Sequence, residues 1–213
     1  MKAKLIAIEG SDGSGKQTQS MLLEQNLRAM GYKVFRYAFP SYGEKQAKLA
    51  EEYLSGSFGD ENPRIASACF AVDRMITFEK LAEDIELYDY IILDRYVKSN
   101  IIHQSRKMKS IAEKEEFIKW VENLEYNSMG IPRENACIFL NMPPEYSMEL
   151  ISNREIKGVK NDILENLENM KLAHQNAMDV IGITGMIKVD CVENSILKTR
   201  EQIAEEVLKI VTA

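Results

Sequence analysis

Short apolar runs alternate along the chain with stretches whose apolar residues recur at helical spacing. Leu5-Ile6-Ala7-Ile8, framed by charge, predicts a buried strand over Lys4–Glu9. A Gly/Ser/Asp loop follows over Gly10–Gly15, and Met21, Leu22, Leu27 and Met30 then predict a helix over Lys16–Met30, stopped by Gly31. A second strand is expected over Lys33–Ala38, broken by Phe39-Pro40, with a helix over Gln46–Leu54 and a long one over Ile65–Leu87. Tyr90–Leu93 is an aromatic and β-branched run ending on Asp94, a third strand. Helices over Ser99–Ser105 and Ile111–Glu125, a strand over Cys137–Leu140 and a helix over Glu145–Arg154 come next. Beyond a charged loop over Glu155–Asn161, the pattern predicts a helix over Asp162–Ile181, a fifth strand over Ile187–Val189 and an amphipathic helix over Ser195–Val211.

Strands alternating with helices imply an α/β fold of three layers, a five-stranded parallel sheet with helices on both faces. No repeat or Pro/Gly/Ser-rich linker divides the 213 residues, so a single domain over 1–213 is expected. Composition narrows the function. The 27 basic and 33 acidic residues give a net charge of −6, which disfavours a nucleic-acid partner. No run reaches the roughly 18 apolar residues of a membrane span, so no membrane partner is expected. The 3 cysteines, Cys69, Cys137 and Cys191, lie far apart without a Cys-x-x-Cys, and the first residues lack the long apolar core of a secretory signal. The expectation is a cytoplasmic protein with reduced thiols.

One local anion site survives that averaging. Gly10-Ser11-Asp12-Gly13-Ser14-Gly15-Lys16 joins a predicted strand to a predicted helix, the context of a phosphate loop. Its glycines let backbone N–H groups wrap a phosphate, the helix N-terminus adds partial positive charge, and Lys16 adds a full one. Lys16 is followed by Gln17 and then Thr18, where such loops usually carry a Mg²⁺-ligating hydroxyl. The Gln17 amide oxygen is one Mg²⁺ candidate, and Asp94, at the end of another strand, is the second. A helix N-cap is the competing reading of Asp94.

The same residues resemble the thymidylate kinase family. Glu9-Gly10-Ser11-Asp12-Gly13-Ser14-Gly15-Lys16 with Thr18-Gln19 is similar to its EGxDGxGKxTQ start, and Phe39-Pro40 to the FP pair closing its second strand. Phe70-Ala71-Val72-Asp73-Arg74 is similar to its F-x-x-x-R segment, Asp94-Arg95-Tyr96-Val97-Lys98-Ser99 to its DRYxxS, and Asp162 with Glu165 to the D-x-x-E after its lid. This chain has Ser41-Tyr42 after Phe39-Pro40, and His103 where a Tyr is common.

The resemblance implies a P-loop nucleoside triphosphate hydrolase-like fold and transfer of the ATP γ-phosphoryl group to dTMP with Mg²⁺. It also implies a homodimer and a lid at about 154–162. Gly10 to Thr18 would hold ATP. Asp12, Lys16, Arg95 and Arg154 would be catalytic, with Arg154, Lys157 and Lys160 serving an otherwise arginine-poor lid. Asp12, Phe39, Phe70, Arg74, Arg95, Ser99, Asn100 and His103 would bind the acceptor, Phe70 stacking its base and Arg74 reaching a carbonyl edge.

Chemistry asks for such groups. A phosphate monoester is largely dianionic at neutral pH, so the acceptor needs no general base, and two polyanions must be brought in line by positive charge. Arg95 suits this better than a Lys because its fork matches phosphate oxygens. Plainer readings stand beside these: an Asx turn for Asp12, a surface ion pair for Arg95, a core Phe70 with a solvated Arg74, an N-cap for Ser99, an exposed His103 and a solvated loop for Lys157 and Lys160. Alternative functions are a kinase for another deoxynucleotide or a deoxynucleoside, and a nucleotide-binding protein with little turnover.

Overall fold

The computed structural model describes residues 3–59, 62–155 and 167–213. Five strands form one parallel sheet: β1 (Lys4–Gly10), β2 (Val34–Ala38), β3 (Tyr90–Asp94), β4 (Ala136–Asn141) and β5 (Ile187–Asp190), in the order β2-β3-β1-β4-β5. Both faces of the central strands are buried, because successive residues point to opposite sides and both sides meet helices. Leu5, Ala7, Ile91, Leu93, Cys137 and Phe139 join one core. Ile6, Ile8, Tyr90, Ile92, Ile138 and Leu140 join the other.

The first core takes in α3 (Pro63–Leu81), α4 (Val97–Gln104), α5 (Ile111–Glu122) and α7 (Leu167–Thr184), through Phe78, Ile101, Phe117 and Val180. The second takes in α1 (Lys16–Ala29) and α8 (Arg200–Thr212), through Leu23, Leu27, Ile203 and Val207. Among the described residues the remaining α-helices are α2 (Lys48–Leu54) and α6 (Pro144–Glu155). Among the described residues no helix is long and apolar enough to cross a membrane.

Several boundaries differ from the sequence expectation. The helix expected over Ile65–Leu87 starts two residues earlier, where Asn62 Oδ1 accepts from Arg64 N and Pro63 takes the first helical position. It ends at Leu81, and a short 3-10 turn covers Ile85–Leu87. Glu83, Asp84 and Glu86 crowd that end with acids opposed by the helix dipole. The helix expected over Ser195–Val211 begins only at Arg200. A hairpin of β6 (Val192–Glu193) and β7 (Ile196–Leu197) takes up the preceding residues, turning on Asn194 and Ser195, both with positive φ. Thr199 and Gln202 then form a capping box that sets the start of α8. Of the helix expected over Asp162–Ile181, residues 162–166 lie outside the described residues, and α7 runs on to Thr184.

Candidate active site

Strand register decides what meets at the carboxyl edge of the sheet. Ile8 pairs with Asp94, and Asp94 with Ala38, so Glu9-Gly10, Arg95 and Phe39 leave the sheet at one level. β1 lies between β3 and β4, where the strand order reverses, so its loop opens at the topological switch point.

The loop after β1 is shaped by glycines. Gly13 has φ 74, and a Cβ there would stand 2.8 Å from the Ser147 carbonyl oxygen of α6. Only glycine meets both demands. Lys16 is buried and folds back over the loop, its Nζ donating to the Gly10 carbonyl at 3.0 Å and the Ser11 carbonyl at 2.8 Å. Among the described residues the buried hydroxyls of Ser11 and Ser14 have no hydrogen-bond partner. The first turn of α1 carries no acid. Unpartnered donors, a helix N-terminus and a buried lysine together make an anion site.

Arg95 stands beside this loop with φ 68, in the left-handed region. Its Nη2 pairs with Asp12 Oδ1, and its Nη1 lies 3.2 Å from His103 Nε2. Burial raises the Asp12 carboxyl, but Arg95 and then Lys16 outweigh it and hold the group below the usual carboxylate range. Burial, then the Arg95 charge, push His103 down to about 3. His103 is therefore neutral near pH 7, and Nε2 accepts from Arg95, which leaves the proton on Nδ1. Asp94 is buried and close enough to Lys16 and Arg95 to act on both charges.

Burial, then Arg95, push the Lys16 ammonium down to about 8. This carries a pH prediction. Phosphate binding needs the protonated lysine, so kcat/KM for ATP is expected to fall as pH rises through about 8, because kcat/KM reports the free enzyme. Bound phosphates restore the charge, so kcat falls later. A flat kcat/KM to pH 9.5 in initial-rate assays contradicts this assignment of Lys16.

At the other end, α3 and α4 face each other. Phe70 and Arg74, one helical turn apart, both line a cavity with about 670 Å³ of atom-free space, its open mouth included. Asp12, Phe39, Arg95, Ser99, Asn100 and His103 line the same cavity, so the acceptor candidates from four separate segments converge. Their hydrogen bonds differ from the sequence expectation. Arg74 is buried, with Nε and Nη2 donating to Glu125 at 2.6 and 2.8 Å, which leaves Nη1 outside that pair. Asn100 Nδ2 donates to Glu125 Oε1 at 2.8 Å and to the Ser67 carbonyl. The Ser99 hydroxyl donates to Glu9 Oε2 at 2.5 Å. Ser41 donates through both N and Oγ to the buried Asp73, which ties the loop after Phe39-Pro40 to α3.

Gln17 is exposed and Thr18 half-buried on the first turn of α1. Arg154 falls in the last turn of α6, while Lys157, Lys160, Asp162 and Glu165 lie outside the described residues. Among the described residues no three His, Cys, Asp or Glu side chains gather as a metal cage.

Three residues at the site were not given a role by sequence. Glu125 is one, and Tyr53 is another: it stands edge-on to Phe70 at 5.7 Å between ring centroids, its hydroxyl 3.3 Å from Gln104 Oε1. Gln104, which the sequence placed one turn after Asn100 on the same helix, shares the cavity wall with Tyr53. The carboxylate of Glu9 is the third, visible in sequence only as one letter of the loop motif. Glu125 and Tyr53 belong to elements that sequence placed as ordinary helices.

Known proteins match this chain over most of its length. A family model described as thymidylate kinase matches residues 8–203. A thymidylate kinase of Mycobacterium tuberculosis is 34% identical over 148 residues, 68% of this chain and 69% of that protein. A probable thymidylate kinase of Saccharolobus solfataricus is 29% identical over 209 residues, 98% of this chain and 96% of its own. Among solved structures, a thymidylate kinase from Candida albicans superposes with a TM-score of 0.72 at 23% identity, covering 99% of this chain and 92% of that one.

Proposed function

The chain belongs to the thymidylate kinase family, and from that premise we propose that it transfers the γ-phosphoryl group of ATP to dTMP, giving dTDP and ADP. The observation that carries this reading is the single cavity joining Arg95 and Asp12, beside the phosphate loop, to Phe70, Arg74 and Asn100. A phosphate at one end and a base at the other are held by one wall.

An oxygen of the dTMP phosphate attacks the γ-phosphorus in line, and the bond from that phosphorus to the β–γ bridging oxygen breaks, so ADP leaves with the electron pair. The residues act by charge and placement. Loop amides and Lys16 hold the donor phosphates, for which Lys16 leaves the Gly10 and Ser11 carbonyls. Arg95, already oriented by Asp12 and His103, neutralises oxygens of both reacting phosphates. Phe70 offers an aromatic face to the base, and Arg74 offers Nη1 to a carbonyl on its edge. Arg154, Lys157 and Lys160, on and after α6, close over the γ-phosphate as a lid at about 154–162 of a single domain, limiting ATP hydrolysis by excluding water.

Mg²⁺ fits the donor set. Asp94 gives one carboxylate beside Lys16, and the unpartnered Ser11 and Ser14 hydroxyls are hard oxygens at the loop. When bound with ATP, it would neutralise β- and γ-phosphate charge. Exposed Gln17 is the weaker ligand candidate. The family resemblance supports a homodimer, and the buried free cysteines support a reducing, cytoplasmic setting.

ADP release with purified protein, ATP and Mg²⁺ tests the reading across the deoxynucleoside monophosphates and thymidine. Turnover is expected with dTMP at a kcat/KM at least tenfold above the others. Preference for another acceptor, or no acceptor-dependent release, overturns it.

A further inference from the structure

Arg95 carries the proposed transfer, yet its backbone sits in a left-handed conformation that L side chains rarely adopt, with φ 68. Something must hold it there. Arg95 N donates to the Ile8 carbonyl at 3.0 Å, which anchors the start of the turn. The far side is held by one side chain from a different strand. Glu9, with no solvent exposure, accepts from Tyr96 N at 2.7 Å and Ser99 N at 3.1 Å through Oε1, and from Ser99 Oγ at 2.5 Å through Oε2. These amides open α4, where the Tyr96 side chain makes no cap, and Ser99 N is shared with the Tyr96 carbonyl at 3.2 Å. The carboxylate therefore grips the chain on the far side of Arg95 and satisfies the first turn of α4 at once. A buried carboxylate is costly unless hydrogen-bonded. Here its hydrogen bonds all go to the chain just past Arg95.

We propose that Glu9 is a positioning residue, which holds the left-handed turn at Arg95 and so aims the guanidinium between the donor and acceptor phosphates. The proposal rests on the function assigned to Arg95 above. Glu9 holds the turn through its hydrogen bonds, while its charge also reaches Arg95 and Lys16. Glu9→Gln keeps an acceptor oxygen for both amides and places an N–H₂ opposite the Ser99 hydroxyl, which can accept. Glu9→Ala removes all three contacts.

The test is steady-state kinetics on both variants, with amide hydrogen exchange at Tyr96 and Ser99 in the ligand-free protein. Glu9→Ala is expected to lower kcat about 10²-fold, the scale of a misplacement near 1 Å, with the KM for ATP changed less than about twofold. Glu9→Gln is expected to stay within about threefold of wild type on both. Exchange at Tyr96 and Ser99 is expected to quicken at least tenfold in Glu9→Ala only. A Glu9→Ala enzyme with wild-type kcat, or a Glu9→Gln enzyme as impaired as Glu9→Ala, overturns the proposal. So does an equal loss of melting temperature, kcat and ATP affinity, which is the mark of a merely structural role. If Glu9→Ala does not fold, Ser99→Ala removes only the Oε2 contact. It is expected to lower kcat about threefold to tenfold with the KM for ATP unchanged, and an unchanged kcat overturns the proposal. Wild-type protein that phosphorylates no acceptor would sink the function instead, and the exchange result alone then decides whether Glu9 holds the turn.

Discussion

Arg95→Lys is expected to lower kcat for dTMP phosphorylation by about 10²–10³-fold, or roughly 3–4 kcal/mol of transition-state stabilisation. The argument is geometric. Two phosphates meet beside this side chain, and a planar fork binds oxygens of both at fixed angles, whereas an ammonium is a point charge on a flexible stem. Arg95 is also already oriented. Asp12 holds Nη2, and neutral His103 accepts from Nη1, so little reorganisation is needed when substrates arrive. A lysine offers no second nitrogen for His103. Arg95→Ala is expected to lose more, about 10³–10⁵-fold, the range seen when an arginine that stabilises transferring phosphate is removed. Stability enters less than rate. The Arg95 and Asp12 side chains retain 24% and 19% exposure, so water partly screens the pair and its loss costs less than that of a fully buried pair. The fall in melting temperature should be smaller than that of Glu125→Ala, while the rate loss is far larger. If Arg95→Lys keeps kcat within about threefold, Arg95 is not the bridging cation.

Glu125→Ala has the largest expected effect on stability. The Arg74 and Glu125 side chains are 2% and 0% exposed and share two hydrogen bonds, and Asn100 donates to the same carboxylate. Truncating Glu125 leaves a guanidinium charged and alone in the interior. Burial alone would lower the arginine's pKa, but Glu125 outweighs it and keeps it raised, so Arg74 stays charged. Breaking a buried pair from one side costs about 3–5 kcal/mol. For a chain of this size that lowers the melting temperature by roughly 6–20 °C, measurable by differential scanning calorimetry. Removing both charges separates stability from binding. Arg74→Met with Glu125→Leu is expected to regain most of the lost stability, because well-packed apolar pairs replace buried ion pairs at little cost. The double variant should still bind dTMP poorly, with a raised KM, because the Nη1 donor is gone. A Glu125→Ala protein melting within about 2 °C of wild type would show that the pair contributes little.

These two predictions draw on different layers of legibility. Arg95 was readable from Asp94-Arg95-Tyr96 following an apolar run, because a polar residue leaving the end of a buried strand has few places to go. Phe70 and Arg74 were readable as one face, since spacing of one turn puts them there whatever the helix packs against. Glu125 was not readable as their partner. It lies 51 residues from Arg74, in a π-helical turn over Asn123–Ser128 beyond the end of α5 at Glu122, where the apolar spacing predicted only a continuing helix to Glu125. Glu9 likewise meets Ser99 across 90 residues, through strand register that no local pattern encodes. The hairpin at Val192–Leu197 was missed for a nearer reason. Its strands are two residues long, too short to show a period, so apolar Ile196 and Leu197 were read into the following helix.

The sequence by itself determined the alternation of strands and helices, the five-stranded parallel sheet and the phosphate loop. Each follows from spacing within a few residues, where backbone geometry ties sequence distance to direction in space. Tertiary structure alone decided that Arg74 arrives already paired, that His103 is neutral and faces Arg95, and that a carboxylate from β1 holds the turn after β3. Those outcomes depend on which side chains burial brings together, and burial changes their charge and partners in ways that residue order does not express.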